Sequence, residues 1–420
     1  MDLATLSVVA LVVAILVSCV TTINVGLLSM LFAWLIGAVV GDMRLEQVLA
    51  GFPSSLFITL TAVTLLFGQA QVNGTLEWLT VRAVRLCRGS RGFIALMFFF
   101  VTLALSSMGP GNIASAALVA PLAMVAAGQV GIPALLMAIM VGNGASGGSL
   151  SPLAPAGIVA NGIMSRSGMA GHEMYTFLTN VAAHTVVALG GFLLLGGWRL
   201  FARDDGSSPA AAPTGGRQAS ESLPISVRQK ATVALIVAVM LLVVVFKVNI
   251  GMAALAGVIA MSALRLSDDA EAMRRVPWKV ILMVTGVTVL IAVLEKNGGL
   301  DLFVGLLASL ATKDSVAPVI AFLTGAASLY SSTSGVVLPA LLPTVPGLAE
   351  RLGGADALGI ASSINVGGHL VDVSPLSTIG ALCLAAAPAT EDSRALFNKL
   401  LVWGMSMTVV GAALCWVMFG

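Results

Sequence analysis

The chain has 420 residues, 58% of them hydrophobic and only 10% charged, with a formal net charge of +2. A mean hydropathy of +1.03 excludes a single water-soluble core, which could not bury so much apolar surface, and makes the lipid bilayer the expected solvent. No nucleic-acid partner is expected, and Cys19, Cys87, Cys383 and Cys415 show neither disulfide nor metal-ligand spacing, so they read as packing residues.

In chain order, residues 6–20 form the first apolar run; Asp2 stands where a signal peptide would have a basic flank, so a retained helix is predicted. The first half then reads as spans near 4–20, 24–41, 54–72, 92–127, 132–165 and 175–200. Residues 92–127 are about twice the length that a hydrocarbon layer requires, and Gly109-Pro110-Gly111 interrupts them, which predicts a re-entrant hairpin. A broken helix is expected over 132–165, and a flexible cytoplasmic linker over the Gly/Ser/Pro/Ala-rich stretch 203–227. Residues 228–420 repeat the unit, with a hairpin near 316–348 and a broken helix near 355–387.

The repetition is legible in short motifs. Ile23-Asn24-Val25-Gly26 returns as Val248-Asn249-Ile250-Gly251, and Asn73-Gly74-Thr75-Leu76 as Asn297-Gly298-Gly299-Leu300. Gly147-Gly148 with Ser151-Pro152 returns as Gly367-Gly368 with Ser374-Pro375. The predicted fold is therefore an all-α polytopic membrane protein of two repeats, 1–202 and 228–420, each with five crossings, one of them the broken helix, plus one re-entrant hairpin. An odd number of crossings inverts the second repeat, an arrangement common among secondary transporters. Lys and Arg set the orientation. Arg82, Arg85, Arg88 and Arg91, the groups around Arg199 and Lys230, the Arg274–Lys279 region, Arg394 and Lys399 fall inside. Arg44, Arg166, Lys247, Lys296, Lys313 and Arg351 then fall outside, as do both termini.

Irregular backbone at membrane depth must line protein or a watery cavity, so the four broken segments are the expected site. The first hairpin tip carries Ser107, Gly111 and Asn112, and the second Ser331, Thr333 and Ser334. The broken helices add Gly147, Gly148, Ser151 and Pro152, then His369, Asp372, Val373, Ser374 and Pro375. Helix N-termini converging there would hold a carboxylate through free N–H groups without a basic side chain. Substrate contacts are expected from Gly111, Asn112, Ser151, Pro152, Thr333, Ser334, His369, Ser374 and Pro375. Cation contacts are expected from Ser107, Asn112, Gly147, Gly148, Ser331, Ser334, Asp372 and Val373. Small residues at these positions also fit close helix packing, and His369 with Asp372 also fits a mutual pair that holds the unwound turn.

These segments resemble those of the ion transporter superfamily, specifically the divalent-anion/sodium symporters and their MatC-type malonate/dicarboxylate carrier relatives. Gly111-Asn112-Ile113, followed by an apolar run to Pro121, is similar to the first hairpin motif Ser-Asn-Thr, of which the Asn is kept. The second motif corresponds either to Ser331-Ser332-Thr333 or to Thr333-Ser334-Gly335; Ser374-Pro375 resembles the Thr-Pro pair of the second broken helix. The resemblance implies an inner-membrane homodimer with scaffold and sliding transport domains, an elevator. It also implies sodium symport of a small dicarboxylate such as malonate, succinate, malate or fumarate. Proton coupling through Asp372 or His369 is the alternative. An enzyme reading rests on Gly144-Ala145-Ser146-Gly147, which fits a rhomboid-type Gly-x-Ser-Gly pattern with His184 or His369 as base, but a protease needs no repeated unit. A channel with re-entrant loops is the remaining rival.

Overall fold

The computed structural model describes residues 2–21, 23–84, 90–201, 225–388 and 391–420, and among them every regular element is helical. The linker expected over 203–227 lies outside the described residues except at its end, where Ser226 caps the next helix.

The first half comprises α1 (Leu3–Val20), α2 (Val25–Trp34, prolonged by a π-helical turn), α3 (Leu45–Leu49), α4 (Ser54–Val72) and α5 (Thr75–Val84). It continues with α6 (Arg91–Ser107), α7 (Gly111–Val130), α8 (Ala134–Gly148), α9 (Pro155–Arg166) and α10 (Glu173–Leu194). The second half runs through α11 (Val227–Val244), α12 (Ile250–Ala263), α13 (Asp269–Arg275), α14 (Trp278–Lys296) and α15 (Gly299–Ala308). It then has α16 (Val316–Ser328), a π-helical turn Thr333–Val337, α17 (Leu338–Leu341) and α18 (Val345–Arg351). The chain closes with α19 (Ala357–Leu370), α20 (Thr378–Ala385) and α21 (Ser393–Phe419). The order of the first half thus recurs in the second. Six helices among the described residues have the length and composition to cross a bilayer, or seven if the α16 hairpin, bent by 118°, counts as one span.

The repeated motifs have repeated structural duties. Asn24 caps α2 by accepting from Gly26 N (2.9 Å), and Asn249 caps α12 by accepting from Gly251 N (2.9 Å). Each capped helix then crosses the other half: α2 packs on α14, and α12 on α4. At the first crossing a Cβ on Gly26 would lie 1.8 Å from the Leu282 carbonyl oxygen, so only glycine lets the backbones meet. At the next corner, Asn73 Nδ2 donates to Thr232 Oγ1 on α11 (2.7 Å) and Asn297 Nδ2 to Ser7 Oγ on α1 (3.1 Å). The two halves are thereby interlocked by equivalent bonds.

Candidate functional site

At the first hairpin, α6 and α7 fold back on each other around Met108-Gly109-Pro110. Gly109 and Gly111 have φ of 132° and 80°, values that favour glycine. A Cβ on Gly109 would also sit 2.0 Å from the Phe67 ring. At the second tip, Ser332 Oγ accepts from Gly335 N (3.1 Å) and starts the π-helical turn at Thr333. The chain thus enters helix at Thr333, between the two alternative motif placements.

The broken helices are built alike. Ser151 Oγ accepts from Leu153 N and Ser374 Oγ from Leu376 N, each at 3.3 Å, so each serine closes its own unwound turn. Ser151 Oγ also donates to the Ser107 carbonyl (2.7 Å), tying the first break to the first hairpin. The second break is tied differently: Thr333 Oγ1 donates to Asp372 Oδ1 (3.1 Å), with the Gly368 carbonyl as a second acceptor at 3.3 Å.

These four segments enclose a cleft of about 760 Å³. The first residues of four helical segments line it: Gly111 of α7, Pro155 of α9, Thr333 of the π-helical turn and Thr378 of α20. Asn112, Ser331, Ser334, Ser377 and the nine-tenths-buried Asp372 add polar atoms, and Leu60, Phe67 and Met283 add apolar wall. Such a surface can hold a small anion by aligned N–H dipoles, and the Asp372 carboxylate can hold a cation or a proton.

Of the residues expected from sequence, the cleft gathers Gly111, Asn112, Ser331, Thr333, Ser334 and Asp372. Ser107, Gly147, Gly148, Ser151, Pro152, His369, Val373, Ser374 and Pro375 do not line it. Gly148 instead meets α6, where a Cβ would lie 2.6 Å from the Leu103 carbonyl oxygen. His369 and Asp372 do not hydrogen-bond each other: His369 Nδ1 donates to the Asn365 carbonyl (2.8 Å), and Asp372 faces Thr333. His184 is fully buried with Nδ1 2.9 Å from Asn143 Oδ1, and neither imidazole hydrogen-bonds Ser146, so the serine–histidine dyad of the protease reading is not formed. Sequence reasoning missed two cations. Arg275 and Lys279, read as orientation charges, line the cleft from the α13–α14 corner. The Val276-Pro277 pair between them was the available signal, since it forces a sharp corner immediately before a helix start.

Comparisons with known proteins agree with this architecture. The YdaH transporter of Alcanivorax borkumensis superposes with a TM-score of 0.60 at 15% identity, over 93% of this chain and 97% of that one. Neisseria gonorrhoeae MtrF, described as illuminating a class of antimetabolite efflux pumps, gives 0.60 at 14% identity, over 100% and 95%. At these identities the likeness is one of fold. A search of curated protein sequences gave no match. The family profile described as dicarboxylate carrier protein MatC N-terminus matches residues 1–149 and 227–353, together more than half of the chain, and each matched stretch begins one of the two halves. With its repeated apolar helices and converging broken segments, this multi-pass membrane protein belongs to the MatC dicarboxylate carrier family, a family of carriers rather than enzymes.

Proposed function

We propose that the protein is a secondary active transporter that carries a C3 or C4 dicarboxylate across the inner membrane by sodium symport. The observation that carries this reading is the convergence of four helix beginnings and Asp372 on one cleft. One carboxylate of the substrate would sit against the N–H groups around Gly111, Asn112, Thr333 and Ser334, and the sodium ion beside Asp372 and Thr333. Among the described residues Asp372 has no ion-pair partner, and a carboxylate at membrane depth is costly until a cation or proton neutralises it. Ser151 and Ser374 fix the unwound turns from behind. The reciprocal packing of the two halves supports inverted repeats. Placement in the ion transporter superfamily, the homodimer, the elevator motion and outward-facing termini follow from the resemblance and from the charge bias.

Proton coupling through Asp372 is the competing reading, because the same buried carboxylate suits it. Uptake of labelled malonate and succinate into liposomes containing the purified protein separates the two. Accumulation is expected with an inward sodium gradient and not with a proton gradient in sodium-free buffer. The reverse result replaces sodium by protons, and no uptake under either gradient removes the substrate class.

A further inference from the structure

Binding a dianion calls for two anion contacts, and the helix beginnings account for one. The cleft's cations stand on the corner between α13 and α14, which several bonds hold in place. Gln69 Nε2 donates to Asp269 Oδ1 (2.9 Å), Trp278 Nε1 donates to the Met273 carbonyl (3.1 Å), and Asn24 Nδ2 donates to the Lys279 carbonyl (3.1 Å). Glu271 pairs with both arginines there, its carboxylate 3.2 Å from Arg275 Nε and 3.5 Å from Arg274 Nη1. Lys279 has no ion-pair partner among the described residues, its side chain is exposed, and it lines the same cleft as Asn112 and Thr333. It is also the second residue of α14, where the helix dipole adds to its positive field.

We infer that Lys279 is the specificity-determining residue of the cleft, taking the second carboxylate of the substrate and so selecting dianions over monoanions. The inference rests on the dicarboxylate reading above. A flexible ammonium suits this task, since it reaches a carboxylate as a point charge and follows substrates that differ by one carbon in length. Replacing it leaves the corner intact, because Asn24 bonds only the backbone of Lys279.

The test measures displacement of labelled succinate from purified protein in detergent by unlabelled succinate and by succinamate, its half-amide, alongside uptake in liposomes. Binding at equilibrium still reports on a variant that transports slowly. The wild type is expected to prefer succinate. Lys279→Gln should weaken succinate about tenfold, the worth of one charge-assisted contact, and leave succinamate nearly unchanged; Lys279→Arg should restore most of the preference. A Lys279→Gln protein with the full wild-type preference overturns this inference and leaves the transport reading standing. A wild type that neither binds nor takes up succinate or malonate overturns the reading and the inference together.

Discussion

A carboxylate at membrane depth whose one side-chain hydrogen-bond donor among the described residues is a threonine is expensive to keep charged, so Asp372 shapes what the cleft can do. Thr333 Oγ1 donates to one of its oxygens. Asp372→Asn retains an acceptor for Thr333 while removing the charge, so the fold should survive and coupling should not. Uptake driven by the sodium gradient is expected to fall by about tenfold or more, as loss of a charged interaction implies. Thr333→Val should give a smaller loss. Normal gradient-driven accumulation by Asp372→Asn would remove this residue from the coupling role. Asp372 was legible in the sequence because a lone acid inside an apolar run stands out. Ser151 and Ser374 stood out equally, yet their hydroxyls are used by their own turns; residue type next to a proline does not say which way the hydroxyl points. The place of Lys279 in the cleft was hidden because Asn112 and Thr333, which line the same cleft, are remote from it in sequence.

Among the elements, the crossing of α2 with α14 decides whether the α14 start reaches the cleft. The backbones touch there, with a Cβ on Gly286 placed 2.0 Å from the Gly26 carbonyl oxygen. Inside a bilayer, where no hydrophobic force distinguishes helix from lipid, such close backbone contact supplies much of the association. Gly26→Val should therefore cost about 3 kcal/mol or more by overpacking. Little folded protein should be recovered, and what is recovered should have a lowered unfolding midpoint in detergent. Gly190 provides the control: it lies within α10 with nothing within 4 Å of an added Cβ. Gly190→Ala should be neutral or stabilise by about 0.5–1 kcal/mol through helix propensity. A Gly26→Val protein that unfolds like the wild type would show that this crossing is not required. The element boundaries were readable where punctuation is strong: residues 54–72 were expected as one span after Pro53, and α4 is Ser54–Val72. The breaks at Gly109–Gly111 and Ser151-Pro152 were equally plain. The pairing of α2 with α14 was not, because nothing in the sequence links Gly26, although part of a repeated motif, to Gly286 among 45 glycines.

For the whole molecule, the question is whether the second half is the first one turned over. The reciprocal packing of α2 on α14 and α12 on α4, and the matched bonds Asn73–Thr232 and Asn297–Ser7, are contacts that a pseudo-symmetry between the halves would produce. An alternating-access carrier benefits from that symmetry when its axis lies in the membrane plane, because each half can then adopt the other's conformation and turn the cleft to the opposite side. Glu77 and Asp301 report on the axis, since both are exposed acids in the first turns of the equivalent helices α5 and α15. With the four native cysteines replaced, Glu77→Cys and Asp301→Cys should react with a membrane-impermeant thiol reagent from opposite sides: Glu77→Cys from the cytoplasm, after the positive-inside bias of the neighbouring arginines, and Asp301→Cys from outside. Labelling of intact cells against inside-out vesicles makes the comparison. Reaction of both positions from one side would mean parallel halves, and the cleft would then need a motion other than exchange of conformations between repeats to open on both faces of the membrane.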